Sequence, residues 1–333
     1  MRRLPCLSPC AGLALRAALG LAVCLVPLCH AVAQDACLLT VSSTEALRDV
    51  LLSARPGATI CLRAGTYTGP FEVTHDVTLQ GTGHPVAVVL VLPAGATGSV
   101  VSLSYTGTRR LRVALENLTV AARSEAEAST DRKHAVFAGP DVGLTMHRVI
   151  CVASDGAGVY LARNASLAAG DCEFRASRFG AYLDAGAVAQ FHETRFSANA
   201  YGLVAGKDTQ TLLRGCEFND NTEVGVIVHA AQASLEGCSF AGNGWGVVLS
   251  ADPSAPPQVR IEGCEILACR FVGVSLMTST CFSDEAPNEA SVQVSGGRNR
   301  IPSPQDDRGN AGGALCPAAP DEIWPADFLL DTP

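Results

Sequence analysis

The chain has 333 residues, 48% hydrophobic and 17% charged, long and apolar enough for one large or two ordinary domains, which excludes a disordered chain. Its 32 Gly and 18 Pro are too few for collagen or a low-complexity sequence. The balance of 24 basic and 32 acidic residues, with a pI near 5.4, provides no basic face for counterion release and excludes DNA and RNA as partners.

Residues 1–33 run from Arg2 and Arg3 through an apolar stretch to the A-V-A of residues 31–33, the small-x-small pattern of a cleavage site. The uninterrupted apolar run, Ala17 to Cys29, has 13 residues, short of the roughly 20 that cross a bilayer. The reading is a signal peptide over 1–33, a secreted or periplasmic protein, and no transmembrane segment after cleavage. Cleavage removes three arginines and no acid, leaving 21 basic residues against 32 acidic ones and a net charge of −11. Four of the 14 cysteines leave with the leader, and the other ten enter an oxidising compartment where some should pair.

Residues 34–60 read as an N-terminal cap. Ser42, three residues before Glu45, offers a capping box for an amphipathic helix carrying Ala46, Leu47, Val50 and Leu51. Cys37 and Cys61 flank that helix and are predicted to be joined. A bridge of this kind contributes ~2–4 kcal/mol.

A repeat follows. The string L-R-G-C-E-F-N-D-N at Leu213 to Asn221 recurs as L-E-G-C-S-F-A-G-N at Leu235 to Asn243, and F-H-E-T-R-F-S-A-N from Phe191 has the same form. Cys172, Thr194, Cys216 and Cys238 mark one slot at steps of 22 residues, and Cys264, Val149 and Leu118 continue it at longer steps. Two positions on are Val120, Cys151, Phe174, Phe196, Phe218, Phe240 and Ile266, a period of two that predicts a strand. Five positions after the slot are Ser177, Asn199, Asn221, Asn243 and Cys269, then a glycine, which together mark a turn. Asparagine tolerates left-handed backbone, and its amide can bond the equivalent group of the next coil. A second alternating segment follows, G-V-Y-L at 158, G-A-Y-L at 180 and G-V-I-V at 225. The predicted fold is all-β, a single-stranded right-handed parallel β-helix of ~22-residue coils over residues 61–301, about 11 of them. The leucine-rich repeat shares the 22-residue period, but its repeats carry a helix and leucines that these lack.

The stretch Ala46 to Gly83, with P-G-A-T-I-C-L-R-A-G-T-Y at its centre, resembles the start of the right-handed parallel β-helix, pectin-lyase-like proteins. The resemblance covers roughly residues 42–301 and implies fold more than activity. Polysaccharide enzymes of that group carry sets such as G-H-G with R-I-K, or D-P-H-D, and none of these strings is present. The catalytic residues are therefore unassigned.

Function on such a solenoid resides in its outward columns. Tyr160, Tyr182, Val204, Ile227 and Val248 form an apolar one, and stacked tyrosines suit sugar rings. Tyr160, Tyr182, Asp184, Lys207, Asp208 and His229 are the candidate polysaccharide-binding residues, unless the loop at 123–134 or a tail with Trp324, Phe328, Leu329 and Leu330 covers the column. Glu173, Arg195, Glu217, Ser239 and Glu265, with Asp171 and Glu193 beside them, form a charged column. It reads as a solvated ladder neutralised by Arg195, or as carboxylates for Ca²⁺, the one ion considered, since no cofactor is predicted. Cys172, Cys216, Cys238 and Cys264 read as small apolar core residues, with no metal site assigned.

Residues 302–333 read as a C-terminal cap and tail, fastened by Cys281 and Cys316, although Cys269 competes for Cys281 and spacing does not place Cys151. Two functional classes follow. The first is a secreted β-helix recognising polysaccharide along its lateral face, with lyase or hydrolase activity unsupported by a motif. The second is a non-catalytic envelope protein used for structure or protein contact, or one resembling periplasmic copper-maturation factors.

Overall fold

The computed structural model describes residues 37, 39–93, 96–105, 107, 109–122, 133–250, 256–270, 273–277 and 293–301. Each central coil makes three short strands, such as Ser166–Gly170, Glu173–Arg175 and Phe179–Leu183. Each pairs in parallel with the strand 22 residues on: Leu167 with Ala189, Phe174 with Phe196, Leu183 with Ala205. One coil alone cannot bury its apolar face, so the coils above and below supply the cover. The first two strands of a coil join an 18-stranded sheet and the third joins a nine-stranded one. The chain is thus an all-β parallel solenoid, about nine turns long among the described residues, with a short helix near its N-terminal end.

Nine turns is fewer than the about 11 that a uniform period gives, because the outer coils are longer. Leu79 pairs with Leu115 and Gln258 with Gln293, steps of 36 and 35 residues.

The helix spans Thr44–Ser53 and buries Leu47 and Leu51. Its cap is Ser43, not the expected Ser42: Ser43 Oγ accepts the Ala46 N–H at 3.2 Å. Glu45 falls in the first turn, where its charge faces the positive end of the helix dipole. A disulfide joins Cys37 to Cys61 with Cα atoms 5.8 Å apart. Leu39–Val41 already pairs in parallel with Ala58–Leu62, so the ladder of the 18-stranded sheet starts ahead of the helix. The expected pair Cys281 and Cys316 and the C-terminal cap lie outside the described residues.

Three ladders fill the central coils. Phe174, Phe196, Phe218 and Phe240 stack with ring centroids 5.2, 4.7 and 4.8 Å apart, each such pair adding ~0.5–1.5 kcal/mol beyond its buried area. Beside them, Asn199 Nδ2 donates to Asn221 Oδ1 at 3.0 Å and Asn221 Nδ2 to Asn243 Oδ1 at 2.8 Å. Each amide also donates to a carbonyl of the preceding coil, as Asn221 does to Phe196 O at 3.1 Å. The left-handed residue of this turn is the one before the asparagine, Ala176, Ala198, Asp220, Gly242 or Ala268. That residue swings the chain so that the next side chain points inward, where the stacked amides replace a missing strand ladder. The glycine column seals the corner: a Cβ on Gly202 would lie 2.4 Å from Gly225 O and 2.9 Å from the Phe218 ring.

Candidate functional site

Successive coils of the 18-stranded sheet bend at a left-handed residue just before the cysteine slot. Glycine fills this position at 215, 237 and 263, with φ of 60°, 61° and 63°. Three coils earlier in the chain use charged residues instead: Arg148, Asp171 and Glu193, with φ of 53°, 52° and 47°. Left-handed backbone costs a residue with a Cβ roughly 1–2 kcal/mol relative to glycine, so the charged choice is not the most stable one. All three line one open cavity of about 400 Å³, together with His84, Arg195 and Glu217.

The charges in this cavity are partly paired. Arg195 Nε lies 2.8 Å from Glu217 Oε2, and that hydrogen bond and charge raise the guanidinium pKa further. His147 Nε2 is 3.2 Å from Asp171 Oδ2, His192 Nε2 is 3.6 Å from Glu193 Oε1, and Arg175 Nε is 3.5 Å from Glu173 Oε1. These pairs are about half exposed, so each contributes only ~0–1 kcal/mol, and the side chains can exchange partners at little cost. Among the described residues, no group of three or more His, Cys, Asp or Glu side chains is placed to hold a metal ion.

On the same coils, on the N-terminal side of the left-handed bend, lies a second open depression of about 590 Å³. Its floor is made of small outward residues in register, Ala114, Thr145 and Ala168, so the surface dips there. Asp76 and Arg112 border it at one end. Asp76 Oδ2 takes the Arg109 guanidinium at 3.0 Å and Oδ1 takes the Arg112 N–H at 2.9 Å. Between the two depressions runs the column Glu116, His147, Gly170, His192 and Arg214.

The expected tyrosine column lies on the outer face of the nine-stranded sheet, with Tyr160, Tyr182, Val204, Ile227 and Val248 in register. The Tyr160 and Tyr182 rings are parallel within 5° at 5.1 Å, with Phe137 5.5 Å beyond. These two tyrosines are half-buried, but Val204, Ile227 and Val248 are 0–1% exposed. They belong, with Phe179, Tyr201, Val224 and Trp245, to a hydrophobic cluster separate from the core. Asp184 and His229 sit two coils apart at the corner closing each coil; Asp184 Oδ1 accepts the Ala185 N–H at 2.7 Å and His229 Nδ1 lies 3.1 Å from Ser250 Oγ. Lys207 and Asp208 occupy the same corner, where the Lys207 carbonyl accepts the Gly186 N–H and the Asp208 N–H donates to Ala230 O. The structure therefore brings the two tyrosines together and leaves the four polar candidates along a turn.

The cysteine ladder is buried. Cys216, Cys238 and Cys264 direct their thiols to Phe191, Leu213 and Leu235 carbonyls at 3.5–3.6 Å. Burial pushes the Cys172 and Cys269 thiols up to about 12, which disfavours the thiolate that a soft metal requires.

His84 was not legible as a site residue, because it reaches the cavity from a short 3-10 turn, Pro85–Ala87, far upstream in the chain. Arg148, by contrast, precedes the slot in the same way as Asp171 and Glu193, and the exchange of charge for glycine along that position was present in the sequence.

Residues 135–285 match the family described as the right handed beta helix region. Comparison with curated proteins gives no match. Among solved structures, an alginate lyase from Paenibacillus sp. FPU-7 is 12% identical with a TM-score of 0.57, over 84% of this chain and 97% of that one. The A-module of an Azotobacter vinelandii mannuronan C-5 epimerase is 17% identical with a TM-score of 0.52, over 83% and 93%. A tailspike of Acinetobacter baumannii bacteriophage Fri1, a capsular polysaccharide depolymerase, is 13% identical with a TM-score of 0.53, over 72% of this chain and 50% of that one. At such identities the likeness is one of fold, and with the stacked registers above it shows that the chain has the right-handed parallel β-helix fold.

Proposed function

We propose that this chain is an exported protein that binds a polysaccharide laid against the outer face of its 18-stranded sheet, across the cavity between His84 and Glu217. The observation that carries this reading is the left-handed slot. Where glycine serves three coils, Arg148, Asp171 and Glu193 serve three others, and all three open onto the same cavity. Backbone held in a costly conformation is retained where the side chain has a task. Half-exposed charges that can exchange partners suit the hydroxyls of a sugar chain, each able to donate and to accept.

Further support comes from the shape of the face. The small floor at Ala114, Thr145 and Ala168 lies on the same coils as the cavity, which lets a chain of several sugars lie across rather than stand off. The similar structures named above include a lyase, an epimerase and a depolymerase of polysaccharides, which agrees with this class of partner. The disulfide between Cys37 and Cys61 agrees with an oxidising destination.

Binding to arrayed glycans by the native chain and by Glu193→Gly and Asp171→Gly tests the reading. The expected result is at least an about tenfold weaker affinity in both variants, with folding intact because glycine suits the slot. Undiminished binding by both variants overturns the assignment to this face. Tyr182→Ala runs alongside: loss of binding in that variant alone moves the site to the tyrosine column. Intact glycan after prolonged incubation identifies a binding protein, and new reducing ends or unsaturated products identify an enzyme.

A further inference from the structure

One coil interrupts the bend that the others share. Gln80 pairs with Glu116 and Val89 with Thr119, so eight residues lie between Gln80 and Val89 where Asn117 and Leu118 alone lie between their partners. The excess is residues 82–87, which end in the 3-10 turn Pro85–Ala87. Later coils bend without an insertion: two residues separate His147 from Ile150, and two separate Gly170 from Glu173.

The inserted turn folds over the outer face of the 18-stranded sheet. It packs on the strands Arg112–Ala122 and Gly143–Ala153, with Pro85 buried and Val86 exposed, and Thr119 Oγ1 donates to Pro85 O at 3.1 Å. Thr119 heads an outward column that continues in register through Ile150, Glu173, Arg195 and Glu217 to Ser239. The column from Ile150 to Glu217 lines the charged cavity, three stacking steps or about 14 Å in length. The turn therefore stands on that column as a wall, with His84 and Pro85 on its cavity side. The opposite end has no such wall among the described residues. There the bend residues are Gly215, Gly237 and Gly263, and a Cβ built on Gly237 or Gly263 would meet nothing within 4 Å.

We infer that this cavity takes the end of a polysaccharide chain, with the terminal sugar lodged against His84 and Pro85 and the rest of the chain leaving past Glu217. The inference rests on the binding reading above and narrows it from polysaccharide to polysaccharide termini. A chain running on through the cavity in both directions along the column would have to occupy the space that the turn fills. Chemistry agrees with shape. A terminal sugar presents a free hydroxyl, which donates and accepts, where an internal sugar presents a linkage oxygen that only accepts. Arg148, which can only donate, and the His84 imidazole, which can do either according to its tautomer, both line the cavity.

The test counts chain ends. Alginate, polygalacturonate, xylan and dextran, with any glycan that the array identifies, are offered intact and after partial acid hydrolysis, and the protein bound at saturation is measured per gram. For a glycan that is bound, a tenfold cut in mean chain length should raise the protein bound per gram about tenfold at unchanged affinity per end. Equal amounts per gram before and after cutting overturn end recognition and leave glycan binding standing. Binding to none of them, intact or cut, overturns the reading on which the inference rests. A chain lacking residues 82–87, in which Gly81 joins Val88 as Asn117 joins Leu118, should bind intact and cut polymer equally per gram, and a persistent preference for cut polymer overturns the turn as the wall. Should that chain fail to fold, His84→Ala serves instead: its affinity for cut chains should fall several-fold, and an unchanged affinity overturns the contact at the closed end.

Discussion

The two outer faces of this solenoid are built on the same coils, with the same stacking distance and the same alternation, yet they differ in every respect that matters for a partner. On the 18-stranded sheet the outward positions hold Arg195, Glu217, His147 and Asp171, which are wet and loosely paired. On the nine-stranded sheet they hold Val204, Ile227 and Val248, which are as dry as the core. The backbone cannot account for this, because both sheets are parallel ladders of the same coils. What decides is the side-chain column. A stack repeats one chemical choice every ~4.8 Å, so a small bias per coil becomes a continuous wet or dry stripe.

The sharpest way to break the comparison is to place the same charge on both faces. Ile227→Asp buries a carboxylate where the site is dry, and should cost about 3 kcal/mol or more. Leu212→Asp, at an outward, half-exposed position of the other sheet, should cost well under 1 kcal/mol. Urea unfolding of the two variants measures the difference directly, and equal costs would mean that the apolar face is open to water in solution.

A second variant compares the dry face with the interior. Asn221 serves four partners: it donates to Asn243 Oδ1 and Phe196 O, and its Oδ1 accepts from the Asn199 N–H and Nδ2. Asn221→Ala leaves those buried groups without it, at about 2–3 kcal/mol, measurable as a lower midpoint in urea at unchanged slope. Asn221→Asp keeps the acceptor and loses the donor, and should fall lower still because it buries a charge.

Much of this was legible in the sequence because the fold is a repetition. The phenylalanine column, the charged column and the tyrosine column were each assigned by counting 22 residues from Cys172 or its equivalents, and strand pairing places every one in register. Counting works because in-register parallel stacking leaves each coil no freedom to slip without turning its apolar side outward. Where coils lengthen, counting loses its frame, and the number of turns came out too high for that reason. The helix cap was misplaced by one residue, between two adjacent serines that composition cannot distinguish. The asparagine was given the left-handed backbone that belongs to its predecessor, since both explanations use the same turn. The cavity could not be read at all, because His84 arrives from a coil outside the regular period and a concavity depends on how neighbouring coils differ. Nor could the burial of Val204 and Ile227, since a column reveals which way it faces but not what lies against it.

The left-handed slot provides a prediction in which stability and function move in opposite directions. Glu193→Gly removes a Cβ from left-handed backbone and should raise stability by about 1 kcal/mol, less the greater freedom that glycine gains when unfolded. It also removes the carboxylate facing His192. A higher melting temperature together with weaker glycan binding would show that the solenoid tolerates a less stable corner for the sake of its surface. A lower melting temperature would mean that the carboxylate stabilises the turn itself.

The smallest expected effect is the most informative about the wet face. Arg195 lies between Glu173 and Glu217 in the stacked column, bonded to Glu217 at 2.8 Å. A buried arginine bonded this well would be costly to remove, but its side chain is 53% exposed and water can replace it. Arg195→Ala should therefore change unfolding free energy by less than about 1 kcal/mol, and less again in high salt, where screening already weakens the pair. Its effect on glycan affinity should be larger than its effect on stability, because with Arg195 gone the carboxylates of Glu173 and Glu217 are left to repel one another across the cavity. If instead stability falls by several kcal/mol while affinity holds, the column is a structural ladder, and the cavity beside it is an accident of packing.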